Sequence, residues 1–491
     1  MKNNQRLTYI INIAGFSLIS GISIAYSIFY RRFAELHIML PGFSFPIFIG
    51  EIILFINLLL LFVKFSLNPV KITKIGYLLL VYFAFVLVKT GVGYLAFGPL
   101  ACRHSALFYY PIFIIFGYFF YNKYYFSRKL LPFLIIGGFL IYRFVPVYEY
   151  FSLAYLLLIS ILIMALPSKG IKYLCFVLLL VVIPFKSFFE VSRMMLLSNF
   201  LAFLYLLIFL VLFSKFKNLF KICYFVFALF FLVSGILVFG DRNAIKSLVN
   251  FKEITSLFHE YNQQVINSEQ EFVSPNLKIS LYTPEGKKWE KYNLMVQETM
   301  LHPESVNNSV IEKTPLNGQS VLPLVAQPKP KPTVLPKPSY RNLTVANNNF
   351  IFRIFIWRDM WNEFNKLKPI LGFSFGKPFR SRSIEILGWG SVEWANDGWV
   401  AMHNSYFDII YRSGIIGVIL LGFVFVLLIK IIKKSLSQKK AIGIFLTAII
   451  INWFVAANFL EIFELPYTAI PLWSLFGMTY AYLFKPRDSI I

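Results

Sequence analysis

The most restrictive feature of this chain is a series of apolar runs, each long enough to cross a bilayer as one helix. A spanning helix needs roughly 20 mostly apolar residues, because backbone polar groups in hydrocarbon must pair within the segment. Such runs occupy 7–30, 46–63, 75–97, 106–121, 130–142, 148–167, 171–185, 194–214, 221–239, 408–429, 441–460 and 466–484 of the 491 residues. Those at 130–142 and 171–185 are short as drawn and must borrow flanking residues. Composition points the same way: 58% of residues are hydrophobic, 19% aromatic and only 14% charged. A soluble domain carries about a quarter charged residues. The expectation is an all-α integral membrane protein of about 12 transmembrane helices, with one large external loop between helices 9 and 10. The first run is long, lacks a small-residue cleavage pattern and is followed by many more, so it reads as a retained helix rather than a signal peptide.

Orientation follows from the lysines and arginines of the short loops, which favour the cytoplasmic side. With a cytoplasmic N-terminus, twenty of these basic residues fall inside, and only Arg31, Arg32, Arg103, Arg143, Lys186 and Arg193 fall outside. Both termini are therefore expected in the cytoplasm, and the long loop on the outer face. The net charge of +24 reflects this bias together with a basic outer loop. Nucleic acid is a poor partner for it, since the inner charges sit in short turns beside anionic lipid. Cys102, Cys175 and Cys223 fall in or beside apolar runs, without CxxC or metal-ligand spacing, and read as packing residues.

Four regions follow along the chain. Residues 1–240 form an N-terminal bundle of about nine helices, and 241–349 a polar external insertion. Residues 350–402 carry an interfacial helix and the rest of the external loop, and 403–491 form a C-terminal bundle of about three helices. Within the insertion, prolines alternate with lysines over 323–338, a composition that favours extended polyproline II and reads as a tether. From Phe350 the pattern changes. Ile354, Trp357, Trp361 and Phe364 recur at helical spacing until Pro369, suggesting an amphipathic helix on the outer membrane surface that brings Arg353 to its edge.

Several residues at the outer boundary are candidates for chemistry. His403, in His403-Asn404-Ser405-Tyr406, stands where the long loop re-enters the apolar region. Imidazole has a near-neutral unperturbed pKa, suited to a general base, although amphipathic rings are also common at interfaces for packing reasons alone. Arg193 opens an apolar run within Ser192-Arg193; it either snorkels to headgroups or supplies a planar fork for phosphate oxygens. Arg103 and His104, between the third and fourth runs, either bind phosphate or anchor a helix. The outer loop has no paired acids that suggest a divalent metal site and no GxxxxGK[ST] phosphate loop, so neither a metal nor a cofactor is expected.

Taken in order, these pieces resemble the O-antigen ligase and polymerase superfamily of bacterial membrane glycosyltransferases. The resemblance rests on Ser192-Arg193 opening a span, a long external loop, Arg353-x-x-x-Trp357, Pro369-x-x-Gly372-x-x-x-Gly376, His403-Asn404-Ser405-Tyr406, and Gly414-x-x-Gly417 before a new span. It covers about 180–430. Residues 241–349 look like an insertion beyond the family core, and Met194 stands where a small residue is common.

The resemblance implies a metal-independent transfer of a glycan from an undecaprenyl-diphosphate carrier to an acceptor hydroxyl, on the outer face of the bacterial inner membrane. Arg193 and Arg353 would hold the diphosphate, with Asn404, Arg103 and His104 as further binding residues, and His403 would deprotonate or orient the acceptor. Lipid-linked polymerisation and ligation to a glycan or lipid-A-core-type acceptor share this donor chemistry. Transfer to a protein hydroxyl is a third course, and a transporter or flippase for a lipid-linked glycan is the alternative from another class. Transporters tend to carry internal repeats, and none is evident here.

Overall fold

The computed structural model describes residues 2–39, 46–69, 74–121, 149–165, 345–387, 402–438 and 441–485, with short helical pieces inside 135–140, 197–206 and 258–266. The spans expected at 171–185 and 221–239, most of those at 130–142 and 194–214, and most of the 241–349 insertion lie outside the described residues.

The described chain is mostly helical. Its first part runs α1 (Lys2–Ala34), a two-stranded antiparallel ribbon of β1 (His37–Ile38) and β2 (Ile47–Phe48), α2 (Ile49–Leu67) and α3 (Lys74–Phe97). α4 (Leu100–Tyr109) and α5 (Phe113–Phe120) follow, joined by a short 3-10 turn containing Pro111, and then α6 (Glu149–Ala165). Beyond the insertion come α7 (Val345–Leu367), α8 (Arg382–Ile386), α9 (Ser405–Gln438), α10 (Ala441–Ala456) and α11 (Pro466–Phe484). Among the described residues, five stretches are long and apolar enough to cross a membrane: Asn4–Ala34, Ile49–Leu67, Leu80–Phe97, Leu100–Phe120 and Ser405–Gln438. The run expected at 106–121 thus begins earlier, at Leu100, because α4 and α5 stack end to end.

α11 lies at the centre of the bundle, packed on α5, α1, α10 and α9. Lipid tails are as apolar as leucine, so helix association in hydrocarbon depends on close packing and polar contacts. Both are present. An added Cβ at Gly117 would sit 2.3 Å from the Ser474 carbonyl, and one at Gly477 would sit 2.0 Å from that of Ile114. Two glycines therefore let the backbones of α5 and α11 touch. Asn452 of α10 donates to Ser198 Oγ at 2.6 Å and to Asn199 Oδ1 at 2.7 Å, tying the piece at 197–202 to the bundle.

A second, smaller core sits at one end. Ile351, Phe355, Ile356 and Met360 of α7 pack with Phe373, Phe379, Ile384, Met402 and Tyr411. The seam that α7 buries in this core is thus distinct from the Ile354, Trp357, Trp361, Phe364 stripe, of which Trp357 and Phe364 pack at its margin. Trp357 is half-buried and donates its Nε1 hydrogen to the Met402 carbonyl at 2.8 Å, while Trp361 is exposed and stacks on Phe364. Helical spacing alone gives several overlapping stripes; the partner core selects among them.

The two cores meet where α9 breaks. Gly414 has φ 55° and ψ −132°, outside helical geometry. In an unbroken helix Ile415 N–H would donate to Tyr411 C=O. Here Ile415 N donates instead to the Ile370 carbonyl at 2.9 Å, and Phe373 N to that of Tyr411 at 2.8 Å. Lys89 Nζ of α3 donates to the Arg412 carbonyl at 2.6 Å and also to that of Leu371. The loop after α7 thus takes up the backbone groups that the break releases, as a low-dielectric setting requires.

The crossing is tight enough to dictate glycine. Gly372 has φ 69°, and a Cβ there would lie 2.4 Å from Ser413 N. Gly372→Ala is expected to destabilise the solubilised protein by about 1–3 kcal/mol or more from backbone strain and clash together. Gly422→Ala is the control, since a Cβ there meets nothing within 4 Å. Thermal unfolding in detergent reads the difference, and equal midpoints for the two variants would rule the tight crossing out.

Candidate functional site

The segment from His403 to Tyr406 is stitched along its length to the turn between α10 and α11. Asn404 is the N-cap of α9: its Oδ1 accepts the N–H groups of Tyr406 at 3.0 Å and Phe407 at 3.1 Å. These are two of the N–H groups that a helix start leaves without intrahelical partners. The Asn404 amide then donates to the Asn458 carbonyl at 2.9 Å. Ser405 donates through N to Ala457 O and through Oγ to Leu460 O, both at 2.9 Å, and its Oγ accepts Phe463 N–H at 3.2 Å. Tyr406 donates its hydroxyl to the Phe454 carbonyl at 2.7 Å.

This docking sets His403 against Glu461. The imidazole Nδ1 is 3.5 Å from Glu461 Oε1, and the carboxylate also accepts the backbone N–H of His403. His403 adopts φ 49°, an unusual value for a non-glycine residue that functional sites often carry. Two anchors hold it there: the Met402 carbonyl bound by Trp357 on one side, and the Asn404 cap on the other. Phe352 of α7 covers the ring, with centroids 6.1 Å apart.

The electrostatics depart from the sequence-based picture of an ordinary titrating histidine. Burial, with the Arg353 guanidinium adding to it, pushes His403 down to about 4, so the ring is neutral at physiological pH. Burial pushes Glu461 up to about 7, and Asp408 adds to this, while Arg103, Arg353 and the His403 N–H pull it back. Glu464 is raised well above the usual carboxylate range by burial, then by Asp408 and Glu461.

Among the sequence candidates, the structure brings His403, Arg353 and Arg103 together around Glu461. Arg353 comes from α7, and Arg103 comes from the start of α4 and also acts on Glu464. Asn404 serves this place as the cap that orients His403. His104 is buried, and its Nδ1 accepts Gly376 N–H at 2.9 Å, which fixes the neutral tautomer with hydrogen on Nε2 and anchors the loop to α4. Arg193 lies outside the described residues. Among those described, no group of three His, Cys, Asp or Glu is placed to hold a metal ion.

Sequence reasoning missed Glu461, Glu464, Asp408 and Arg412. Arg412 is buried, with Nε 3.4 Å from Asp408 Oδ1 and Nη1 donating to the Lys377 carbonyl. A usable signal existed. Glu461 and Glu464 are two acids in a very short connector between apolar runs, where desolvation makes a carboxylate costly unless it has a role.

No family model matches the chain, and neither a curated protein nor a solved structure is significantly similar to it.

Two measurements check this geometry. Asn404→Ala should lower stability by about 1 kcal/mol through loss of the cap, while Asn404→Asp keeps most of it; thermal unfolding of the solubilised protein compares them. The pH dependence is the second. His403 has a depressed folded pKa, so its contribution to stability is present above pH 6.5 and is lost as pH falls toward about 4. Glu461 has a raised folded pKa, so its contribution is present below pH 4.5 and is lost as pH rises through about 7. The two slopes oppose each other in between. Relative to wild type, Glu461→Gln should gain stability with rising pH across that window, and His403→Gln should lose it. Parallel curves for both variants would contradict the assigned shifts.

Proposed function

We propose that this chain is a membrane glycosyltransferase that moves a glycan from a lipid diphosphate carrier to an acceptor hydroxyl. The observation that carries the reading is the meeting of His403 and Glu461 with two guanidinium groups, Arg103 and Arg353, at one end of an apolar bundle. Glycosyl transfer to a hydroxyl needs a stabilised anionic leaving group and a nucleophile relieved of its proton. The guanidinium groups suit the first need and the neutral imidazole the second. Arg193 joins the diphosphate-binding set on the strength of the sequence resemblance alone. Attack on the face opposite the diphosphate would invert the anomeric centre.

In this reading the bundle has about 12 spans in the bacterial inner membrane, both termini are cytoplasmic, and His403 faces outward. The distribution of lysines supports that orientation. Lys64 caps the Phe119 carbonyl at 2.8 Å and Lys485 caps that of Tyr118 at 2.5 Å, at the end of the bundle away from His403. Lys434 stands over Phe484 at the same end. The carrier is read as undecaprenyl diphosphate. The acceptor is read as the hydroxyl of a growing repeat-unit chain, a lipid-A-core-type glycan or a protein.

Replacing His403, Arg353 or Arg103 by Ala in a strain whose surface glycan can be profiled is expected to abolish product at unchanged protein level. Removing one preorganised donor to a developing anion costs about a hundredfold or more. Single repeats remaining on the acceptor would mark a lost polymerase, and long lipid-linked chains beside a bare acceptor a lost ligase. Normal glycan from His403→Ala would reject the reading.

A further inference from the structure

His403 is only half of a two-residue unit. Glu461 Oε1 is buried and has no hydrogen-bond partner, yet it lies 3.5 Å from His403 Nδ1. A buried acceptor without a partner is costly, and that ring nitrogen is a group close enough to supply a hydrogen. A small tightening of the pair would complete the bond and place hydrogen on Nδ1, leaving Nε2 as a bare acceptor. The Glu461 side chain is only 16% exposed, against 31% for His403, so the ring is the more accessible member of the pair.

We propose, resting on the glycosyl-transfer reading, that Glu461 is the group on which the acceptor's proton comes to rest, with His403 as a neutral shuttle between them. The acceptor O–H bond breaks and its proton goes to His403 Nε2, while the Nδ1 proton passes to Glu461 Oε1. The freed oxygen bonds to the anomeric carbon. The bond from that carbon to the diphosphate oxygen breaks, and its electron pair stays with the oxygen, beside Arg103 and Arg353. The unit resets when Nε2 gives its proton to water or to the departing diphosphate and Glu461 returns its own to Nδ1.

The surroundings of Glu461 suit a group that changes protonation during turnover. It is faced by His403 from the segment before α9, Arg103 from α4, Arg353 from α7, Asp408 from α9 and Glu464 from its own turn. Cations on two elements oppose carboxyls on two others, and burial acts against the charged form. The balance holds the carboxyl near neutrality, at about 7, where a proton acceptor is best matched to working pH. His403 alone, held at about 4, is a weak base. Glu461 is thus a positioning and relay residue, since it acts through the ring.

The test reads the ring directly in full-length protein labelled with ¹⁵N-histidine in detergent micelles, with His403 assigned by the signal lost in His403→Gln. The wild-type ring should be neutral with hydrogen on Nδ1, and its shifts should move with a midpoint near 7 that belongs to Glu461. That midpoint should vanish in Glu461→Gln and persist in Glu461→Asp. In cells, Glu461→Gln should lower surface glycan about a hundredfold or more, and Glu461→Asp should restore a measurable fraction. Hydrogen on Nε2 in the wild type, or no midpoint near 7, overturns the relay even where Glu461→Gln fails to fold. Product lost in His403→Ala but normal in Glu461→Gln overturns the relay alone. Normal product in both overturns the glycosyl-transfer reading, and the relay with it.

Discussion

A backbone amide or carbonyl in an apolar setting cannot go without a partner, and the break in α9 shows how far that constraint reaches. At Gly414 the helix releases Tyr411 C=O and Ile415 N–H from each other. No water is needed to satisfy them, because the loop after α7 presents Phe373 N–H and Ile370 C=O at the required places. The loop is thereby fixed in register against α9. Four residues beyond Gly372, Gly376 N–H reaches His104 Nδ1, so the same loop also clamps α4 and with it the position of Arg103. Further along the chain, Arg412 holds the Lys377 carbonyl from within the break. One interrupted helix therefore organises three elements that supply groups to the site.

The site is held by backbone contacts rather than by mutual attraction of its side chains. His403 is gripped through the carbonyl before it and the cap after it, and the residues of its motif spend their polar atoms on Asn458, Ala457, Leu460 and Phe454. That arrangement explains how a strained φ of 49° persists at His403. Strain of this kind costs about 1–3 kcal/mol and survives only where the surroundings over-determine it. The ring is left without a strong structural duty of its own, which is the condition for using it in chemistry.

Much of this was legible in the sequence, for reasons that can be named. Apolar runs mark helices because hydrocarbon forbids other backbone solutions, and α1, α2, α3, α9, α10 and α11 fall close to the runs at 7–30, 46–63, 75–97, 408–429, 441–460 and 466–484. Glycines 372, 376 and 414 stand out in the sequence by their spacing, but the close crossings they permit do not. Pairings between distant segments were not legible. Nothing local in Glu461 says that it faces His403; that depends on Ser405 and Tyr406 docking on Leu460 and Phe454, which lie 55 and 48 residues later. The seam that α7 buries was not legible for the same reason, since Phe355, Ile356 and Met360 are chosen by a core assembled from 373–411. His403 was expected to titrate near neutrality because an isolated imidazole does so. Burial and Arg353 move that property to its partner.

The transfer of near-neutral titration from His403 to Glu461 has a consequence for the order of events in the proposed reaction. Around the pair stand Arg103, Arg353 and Arg412 against Asp408, Glu461 and Glu464. Burial holds Glu464 toward its protonated form, so the cluster carries an excess of positive charge when no anion is present. That excess favours a diphosphate, and it also keeps the proton affinity of His403 and Glu461 down. A bound diphosphate would cancel the field of Arg103 and Arg353 at both groups, raising their proton affinity. By linkage the effect is reciprocal: protonation of the pair would favour the anion, and loss of the anion would favour release of the proton. The pair is then a stronger base with the donor in place than without it. An acceptor hydroxyl arriving at the empty site meets a weaker one, and activation of the nucleophile is confined to the state in which there is a leaving group to displace.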